Sequence, residues 1–275
     1  MKIQFVSNKS QSLIKLVLEN TQLNFNQVKL ILRKKDIKIN GKRVNSDILV
    51  LPNSTVEIFS PDKKINLDVV YQDNNVIVIN KPTNLEVTSS SPAEQTLEKL
   101  TNAFAVHRLD RNTSGLVILA KNNIAKQELD FAFKNKFVKK FYTAVVVGKP
   151  KQIKENLTAY LVKDAKNSLV KIFDDKVANS VQIKTNYQLL QSNNNLSSLK
   201  IELLTGKTHQ IRAHLAHINL PVLGDEKYGN KLVNKKYSKH RQMLVATSLS
   251  FNFKATSPLN YLNDRTFVID PKLEI

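Results

Sequence analysis

An α+β architecture in two unequal parts is predicted by three features of this 275-residue chain. Apolar and β-branched runs dominate from residue 67 onward, and the few helical patterns fall among them without regular strand, helix, strand alternation. A shorter and distinctly basic segment comes first. Length allows one large domain or two, and the pattern favours two: a small α/β domain over 1–60, a linker over 61–66 and a main domain over 67–275. Residues 1–60 carry ten Lys+Arg against four Asp+Glu, a difference of +6, and end on the polar, proline-containing Ser60-Pro61-Asp62-Lys63-Lys64.

In the first part, Leu13, Leu16, Val17 and Leu18 predict one helix. Val28, Leu30, Ile31 and Leu32 predict a second, with Lys29, Arg33, Lys34 and Lys35 on its exposed face. Ile37-Lys38-Ile39 reads as a strand that turns at Asn40-Gly41, a pair suited to positive φ, and resumes at Lys42-Arg43-Val44 before a strand at 55–59. This layout resembles the small RNA-binding domain named after ribosomal small-subunit protein four. The resemblance implies that Arg33, Lys34, Lys35, Lys42 and Arg43 meet as a face that contacts phosphate and positions RNA. The plainer alternative is a solvated helix face. In the main part, strands are predicted at 69–71, 76–79, 116–119, 141–147, 181–190 and 199–204, and helices at 95–101, 124–133 and 208–217.

Composition restricts the partners. With 42 Lys+Arg against 23 Asp+Glu the formal charge is +19, which favours a phosphate backbone over a small neutral substrate. No run of 18 apolar residues, cationic amphipathic helix or lipidation motif stands out, so no membrane partner is expected. The start, Met1-Lys2-Ile3-Gln4-Phe5, lacks a signal-peptide core and points to the cytoplasm. The absence of cysteine excludes disulfides, thiolate nucleophiles and cysteine-ligated zinc.

The stretch His107-Arg108-Leu109-Asp110-Arg111-Asn112-Thr113-Ser114-Gly115 sets one carboxylate among cations just before an apolar strand. Such a carboxylate can act as nucleophile or base; it can equally be a loop aspartate paired with an arginine. Four further blocks accompany it: Asn80-Lys81-Pro82, Lys139-Lys140-Phe141-Tyr142-Thr143-Ala144, Thr205-Gly206-Lys207-Thr208-His209-Gln210-Ile211-Arg212, and Gly224-Asp225-Glu226-Lys227-Tyr228-Gly229. In order and spacing these resemble the RluA-type pseudouridine synthases, over residues from about 66 to about 250.

The resemblance implies a mixed, mainly antiparallel sheet split by a central cleft, with the aspartate loop on one wall. It implies pseudouridine formation from uridine in RNA, without a cofactor, with Asp110, Tyr142 and Arg212 as catalytic residues. Asp110 either attacks covalently or acts on the ribose to promote elimination, and the residues do not choose between these routes. Arg212 pairs with it, since an aspartate in a cleft needs a fixed cation against desolvation. Tyr142 stacks on the target base, or is a buried core tyrosine. Arg108 fills the gap left by an extruded base, or contacts phosphate. Ile211 and Lys81 are placed on the RNA-binding side, Lys81 with an architectural alternative. His107 is expected to be structural. His209, His214 and His217 lack metal-ligand spacing, so no metal is expected.

Three departures from the family pattern stand out: Asn84 sits where relatives have Gly, a position it can fill at positive φ, Lys207 replaces a usual Arg, and Gln242-Met243-Leu244-Val245 lacks a His usual near this strand. Large-subunit ribosomal RNA is the expected substrate, because an RNA-binding appendage precedes the catalytic domain in the ribosome-directed branches. The compact loop before His107 leans towards the RluC-like branch. The RluD-like branch, a transfer-RNA substrate and a non-catalytic RNA-binding or ribosome-assembly role stay open, and high positive charge favours a monomer.

Overall fold

Apolar residues collect into separate cores because two stretches of the chain each bury their own faces. The computed structural model describes residues 2–21, 23, 25–59, 65–90, 94–193 and 195–273. One unit comprises 1–66 with 90–94, the other 67–89 with 95–275. The boundary stretch 60–64, where the sequence puts most of the linker, lies outside the described residues.

The smaller unit contains β1 (Lys2–Val6), β2 (Gln11–Ser12), α1 (Leu13–Asn20), α2 (Phe25–Arg33), β3 (Ile37–Ile39), β4 (Lys42–Val44), β5 (Leu49–Val50) and β6 (Thr55–Phe59). Its main sheet is antiparallel in the order β1-β6-β3-β4, and β2 pairs with β5. Ser12 caps α1, its Oγ accepting from Lys15 N at 3.3 Å. Leu13, Leu16 and Val17 from α1 meet Val28, Ile31 and Leu32 from α2 over Ile37, Val56 and Ile58. Each such side chain contributes roughly 1.5 to 3 kcal/mol when taken fully out of water. Asn40 and Gly41 take φ of 49° and 80°, as a tight turn with two left-handed positions requires. The predicted helix face is corrected at its end. α2 stops at Arg33, and Lys34 and Lys35 lie in the turn beyond it, Lys35 at φ 57°. There Lys35 O accepts from Arg43 Nη1 at 3.1 Å, so the helix end and the hairpin adjoin. All five predicted cations of this unit are exposed.

The larger unit contains β7 (Asp68–Gln72), β8 (Val76–Lys81), α3 (Leu97–Thr101), β9 (Phe104–Ala105), β10 (Ser114–Ala120), α4 (Asn123–Lys134), β11 (Val138–Val147), β12 (Lys154–Asp164), β13 (Leu169–Phe173), β14 (Val181–Asn193), β15 (Leu196–Leu203), α5 (Gln210–His217), α6 (Lys231–Lys236), β16 (Leu244–Phe251) and β17 (Thr266–Val268). One mixed sheet runs β13-β12-β14-β15-β11-β16-β10-β8-β7, with β17 on β16 and β9 on β10. Among the described residues every strand pairing of this sheet is antiparallel except β10 with β16. This is the mixed, mainly antiparallel α+β fold that the sequence predicts.

Several elements differ from the sequence reading. α3 starts at Leu97 rather than 95, because the Thr96 hydroxyl caps it by accepting from Lys99 N. α5 starts at Gln210 rather than 208, because His209 takes φ 53° and breaks the first turn. The hairpin β12 and β13 has no counterpart in the sequence reading; in β12, Leu157, Ala159 and Leu161 alternate inward, but the polar residues between them dilute that signal. α5 is also not amphipathic: Gln210 through Leu215 are all buried, including Arg212.

The parallel pair at the centre decides where the site forms. Gly115 on β10 lies opposite Ala246 on β16, which in turn lies opposite Tyr142 on β11. Gly115 has φ 109°, and an added Cβ would fall 2.3 Å from Ala246 O, so only glycine allows this approach. The β11/β16 register shifts between Phe141 and Tyr142, leaving Thr247 as an extra residue. Such a bulge re-aims neighbouring side chains, and here it adjoins Tyr142.

Candidate active site

The loop between β9 and β10 carries Asp110 into a cleft of about 610 Å³ in the larger unit. His107, Arg108, Asp110, Lys140, Tyr142, Lys207, His209, Ile211 and Arg212 all line it, so the three predicted catalytic residues share one space.

Arg212 organises its floor. Its Nε donates to Asp225 Oδ2 at 2.6 Å and its Nη2 to Asp225 Oδ1 at 2.9 Å. Its Nη1 donates to Asp110 Oδ2 at 2.8 Å. One guanidinium thus bridges two carboxylates, and its planar fork suits the paired contact with Asp225. The Asp225 side chain is fully buried, that of Arg212 is 8% exposed and that of Asp110 21%. Burial opposes the charge on Arg212, but Asp225 and Asp110 outweigh it and hold its pKa above the ordinary value. Burial likewise works against the Asp225 charge, yet Arg212 and the backbone N–H groups of Lys227 and Tyr228, at 2.8 and 3.0 Å, keep its carboxyl low. The Tyr228 ring lies under the Arg212 guanidinium, 5.3 Å from its centroid. Asp225 and Tyr228 were not among the site residues inferred from sequence, although the Gly224-Asp225 block marked their segment.

Tyr142 is 6% exposed. Burial, reinforced by the Asp110 carboxylate, pushes its hydroxyl well above the usual range, so it remains a neutral phenol. Arg108 is exposed at the cleft edge, and Ile211 supplies an apolar wall. Lys140 also lines the cleft, and burial lowers its pKa. The predicted histidine trio faces different partners: His209 Nδ1 meets Tyr228 Oη at 2.9 Å, His214 Nδ1 meets Thr185 Oγ1 at 3.1 Å, and His217 Nε2 meets Asp174 Oδ1 at 2.8 Å.

Lys81 takes the architectural reading offered by the sequence, and its placement on the RNA-binding side is corrected. It does not face RNA, being completely buried, and its Nζ donates to Leu85 O at 2.7 Å, Pro82 O at 2.9 Å and Arg111 O at 3.2 Å. Three carbonyls use all three donors of the ammonium, so it ties the turn after β8 to the residue following Asp110. Burial brings its pKa down to about 8, against the pull of Asp110 and Glu86. Asn84 in that turn takes φ 64°, and its Oδ1 accepts from Arg111 Nε at 3.1 Å. Gln242, in the stretch that lacks the usual His, is buried and donates from Nε2 to Thr113 Oγ1. Replacing Lys81 by Met leaves the buried Leu85 carbonyl and the part-buried Pro82 and Arg111 carbonyls without this donor and is expected to cost about 2 kcal/mol of stability. RNA affinity and its salt dependence are expected to stay unchanged in a binding titration; a shallower salt slope would instead show that Lys81 contacts phosphate.

His107 is structural, as expected: its Nε2 accepts from Ile118 N at 3.1 Å, and its ring stacks on Phe133 at 4.5 Å between centroids. Burial, with Lys140 nearby, brings its pKa down to about 3 from 6.5. The unfolded chain therefore binds a proton that the folded one refuses between these values, so this contribution is complete above about pH 6.5 and is lost as pH falls towards 3. Melting temperatures between pH 6.5 and pH 4 are expected to fall less steeply in His107→Gln than in the wild type; parallel curves would remove His107 as the cause.

Among the described residues no helix is long and apolar enough to cross a membrane. The family model for RNA pseudouridylate synthase matches residues 75–217, a span that includes Lys81, Asp110, Tyr142 and Arg212. A protein of Mycoplasma capricolum named as an uncharacterized RNA pseudouridine synthase is 34% identical over 281 residues, covering 87% of this chain and 87% of its own. Ribosomal large subunit pseudouridine synthase C of Buchnera aphidicola is 32% identical over 279 residues, covering 88% of this chain and 87% of its own. Of solved structures, human RNA pseudouridylate synthase domain containing 1 shares the fold with a TM-score of 0.65 at 24% identity, over 78% of this chain and 88% of that one. With just over half its length inside the family model and such relatives along most of the rest, the chain belongs to the RNA pseudouridylate synthases, isomerases that act on RNA.

Proposed function

We propose that this enzyme converts specific uridines of large-subunit ribosomal RNA to pseudouridine, extruding the target base into the cleft and using Asp110 as the reactive carboxylate. The observation that carries the site assignment is the Arg212 bridge, which presents Asp110 to the cleft with a fixed cation on one oxygen. The ribosomal substrate is supported by relatives named for the large subunit, among them proteins of Buchnera aphidicola and Rickettsia bellii.

The reaction breaks the bond from ribose to the base nitrogen, turns the uracil and forms a bond to ring carbon five. A proton leaves that carbon and the former glycosidic nitrogen gains one, so atoms and electrons balance without an oxidant. Asp110 either attacks covalently or takes a ribose proton to start elimination; both routes begin from the ionised carboxylate. Tyr142, held as a neutral phenol, stacks on the uracil, and Ile211 closes the apolar side. Extrusion from folded RNA costs roughly a few kcal/mol, which Arg108 offsets by filling the vacated stack.

The small unit, with Arg33, Lys34, Lys35, Lys42 and Arg43, docks the phosphate backbone and carries no base specificity. Carbodiimide mapping of unmodified large-subunit RNA from the same source tests this reading. New reverse-transcription stops with the wild type are expected. Stops on transfer RNA alone would reassign the substrate, and silence on both would favour a binding-only role.

A further inference from the structure

Both ends of the chain excursion between Asp225 and Gln242 support the Asp110 loop. At one end Asp225 holds Arg212, and at the other Gln242 donates to Thr113, whose N–H donates to Asp110 O at 3.0 Å. Next to Gln242, Arg241 Nη1 donates to Thr83 Oγ1 at 2.8 Å, beside the Asn84 that receives Arg111. The two legs touch: a Cβ on Gly224 would fall 2.0 Å from Arg241 O.

Within this excursion lies α6. Its inward side is Val233, Asn234 and, just beyond the helix, Tyr237; Val233 and Tyr237 pack against the buried cluster of Val145, Leu196, Leu223 and Met243. Asn234 is buried, its Oδ1 accepting from Gly224 N at 2.8 Å and its Nδ2 donating to Asp225 O at 3.0 Å. The opposite side presents Lys231, Lys235 and Lys236, all exposed. Residues 226–241 hold six Lys+Arg and one acid, Glu226, a difference of +5. Among the described residues no carboxylate forms a salt bridge with those three lysines.

A concentration of unneutralised charge fixed to the support of a reactive aspartate calls for a polyanion. Lysines on flexible stems suit backbone phosphate rather than base edges. We propose that the lysine face of α6 is a second RNA-docking site, gripping backbone phosphates outside the target loop, with Asn234 as the positioning residue that fixes the helix to Gly224 and Asp225. This rests on the RNA-modifying reading of the cleft. Docking there loads the same backbone that positions Asp225, and through it Arg212 and Asp110.

The test compares wild type with the full-length triple variant Lys231→Gln, Lys235→Gln, Lys236→Gln. Two substrates are used: a folded ribosomal RNA fragment around a modified site, and an oligonucleotide of the target loop alone. For the fragment, KM is expected to rise about tenfold with kcat unchanged, and the slope of log affinity against log salt to fall by about 1 per lysine. The loop oligonucleotide, too short to reach α6, is expected to keep its KM. Unchanged KM and salt slope on the fragment would overturn the docking face, and equal losses on both substrates would do so too. Asn234→Ala adds a separate signature, a lower kcat on both substrates. The wild type runs beside every variant, so its own silence would count against the pseudouridine reading and not against α6 alone.

Discussion

Asp110→Asn is expected to lower the kcat of pseudouridine formation by about four orders of magnitude while leaving the protein folded. The amide keeps the size of the carboxylate but removes the charge that either route needs. The fold survives because the Arg212 fork is satisfied by Asp225, through bonds of 2.6 and 2.9 Å that do not involve Asp110. A melting curve within a few degrees of the wild type, RNA binding within about threefold and loss of carbodiimide stops form the expected set. Retention of a tenth or more of the activity would show that Asp110 is not the reactive group.

Asp225→Asn is expected to damage both stability and turnover, although Asp225 reaches Asp110 only through Arg212. Its side chain is fully buried against an Arg212 side chain that is 8% exposed. Neutralising one member of a buried pair costs about 3 to 5 kcal/mol when nothing else compensates the other; with Asp110 as a second carboxylate beside the guanidinium, about 3 kcal/mol is expected. For a protein of this size that lowers Tm by about 10 °C. The new amide nitrogen also faces a donor, Arg212 Nε or Nη2, so the guanidinium turns and Asp110 loses its fixed partner. A displacement of about 1 Å costs roughly a hundredfold in kcat. Measuring kcat well below the lowered Tm separates the two effects: a normal kcat in the folded fraction would reduce Asp225 to a purely structural residue.

The contrast between Asp225 and Lys81 shows how far the sequence could be read. Both lie in recognisable blocks, and neither has its role written in its residue type. Lys81 reads as architectural through its Pro82 neighbour, or as a cation for phosphate, and only the structure shows its amine spent on three carbonyls. Asp225 reads as a loop acid, yet it holds the arginine that holds the aspartate. α5 was legible as a helix but not as one buried all round from Gln210 to Leu215, because the apolar pair Ile211 and Leu215 suggested a stripe while polar Gln210, Arg212 and His214 also find partners inside.

Local information by itself determined much of this protein. Periodicity placed both helices of the small unit and most central strands, Asn40-Gly41 set the hairpin, and motif order identified Asp110, Tyr142 and Arg212 as one group. The helices, strands and hairpin depend on residues near one another in sequence, where spacing and turn chemistry leave a visible pattern, whereas the grouping of Asp110, Tyr142 and Arg212 came from the resemblance to a family. Only the tertiary structure decided the parallel β10/β16 contact, the bulge beside Tyr142, the Asp225 support and the burial of Lys81. Each of these joins groups far apart in the chain, and whether a charge meets water, a carbonyl or a counter-charge depends on which distant backbone packs over it.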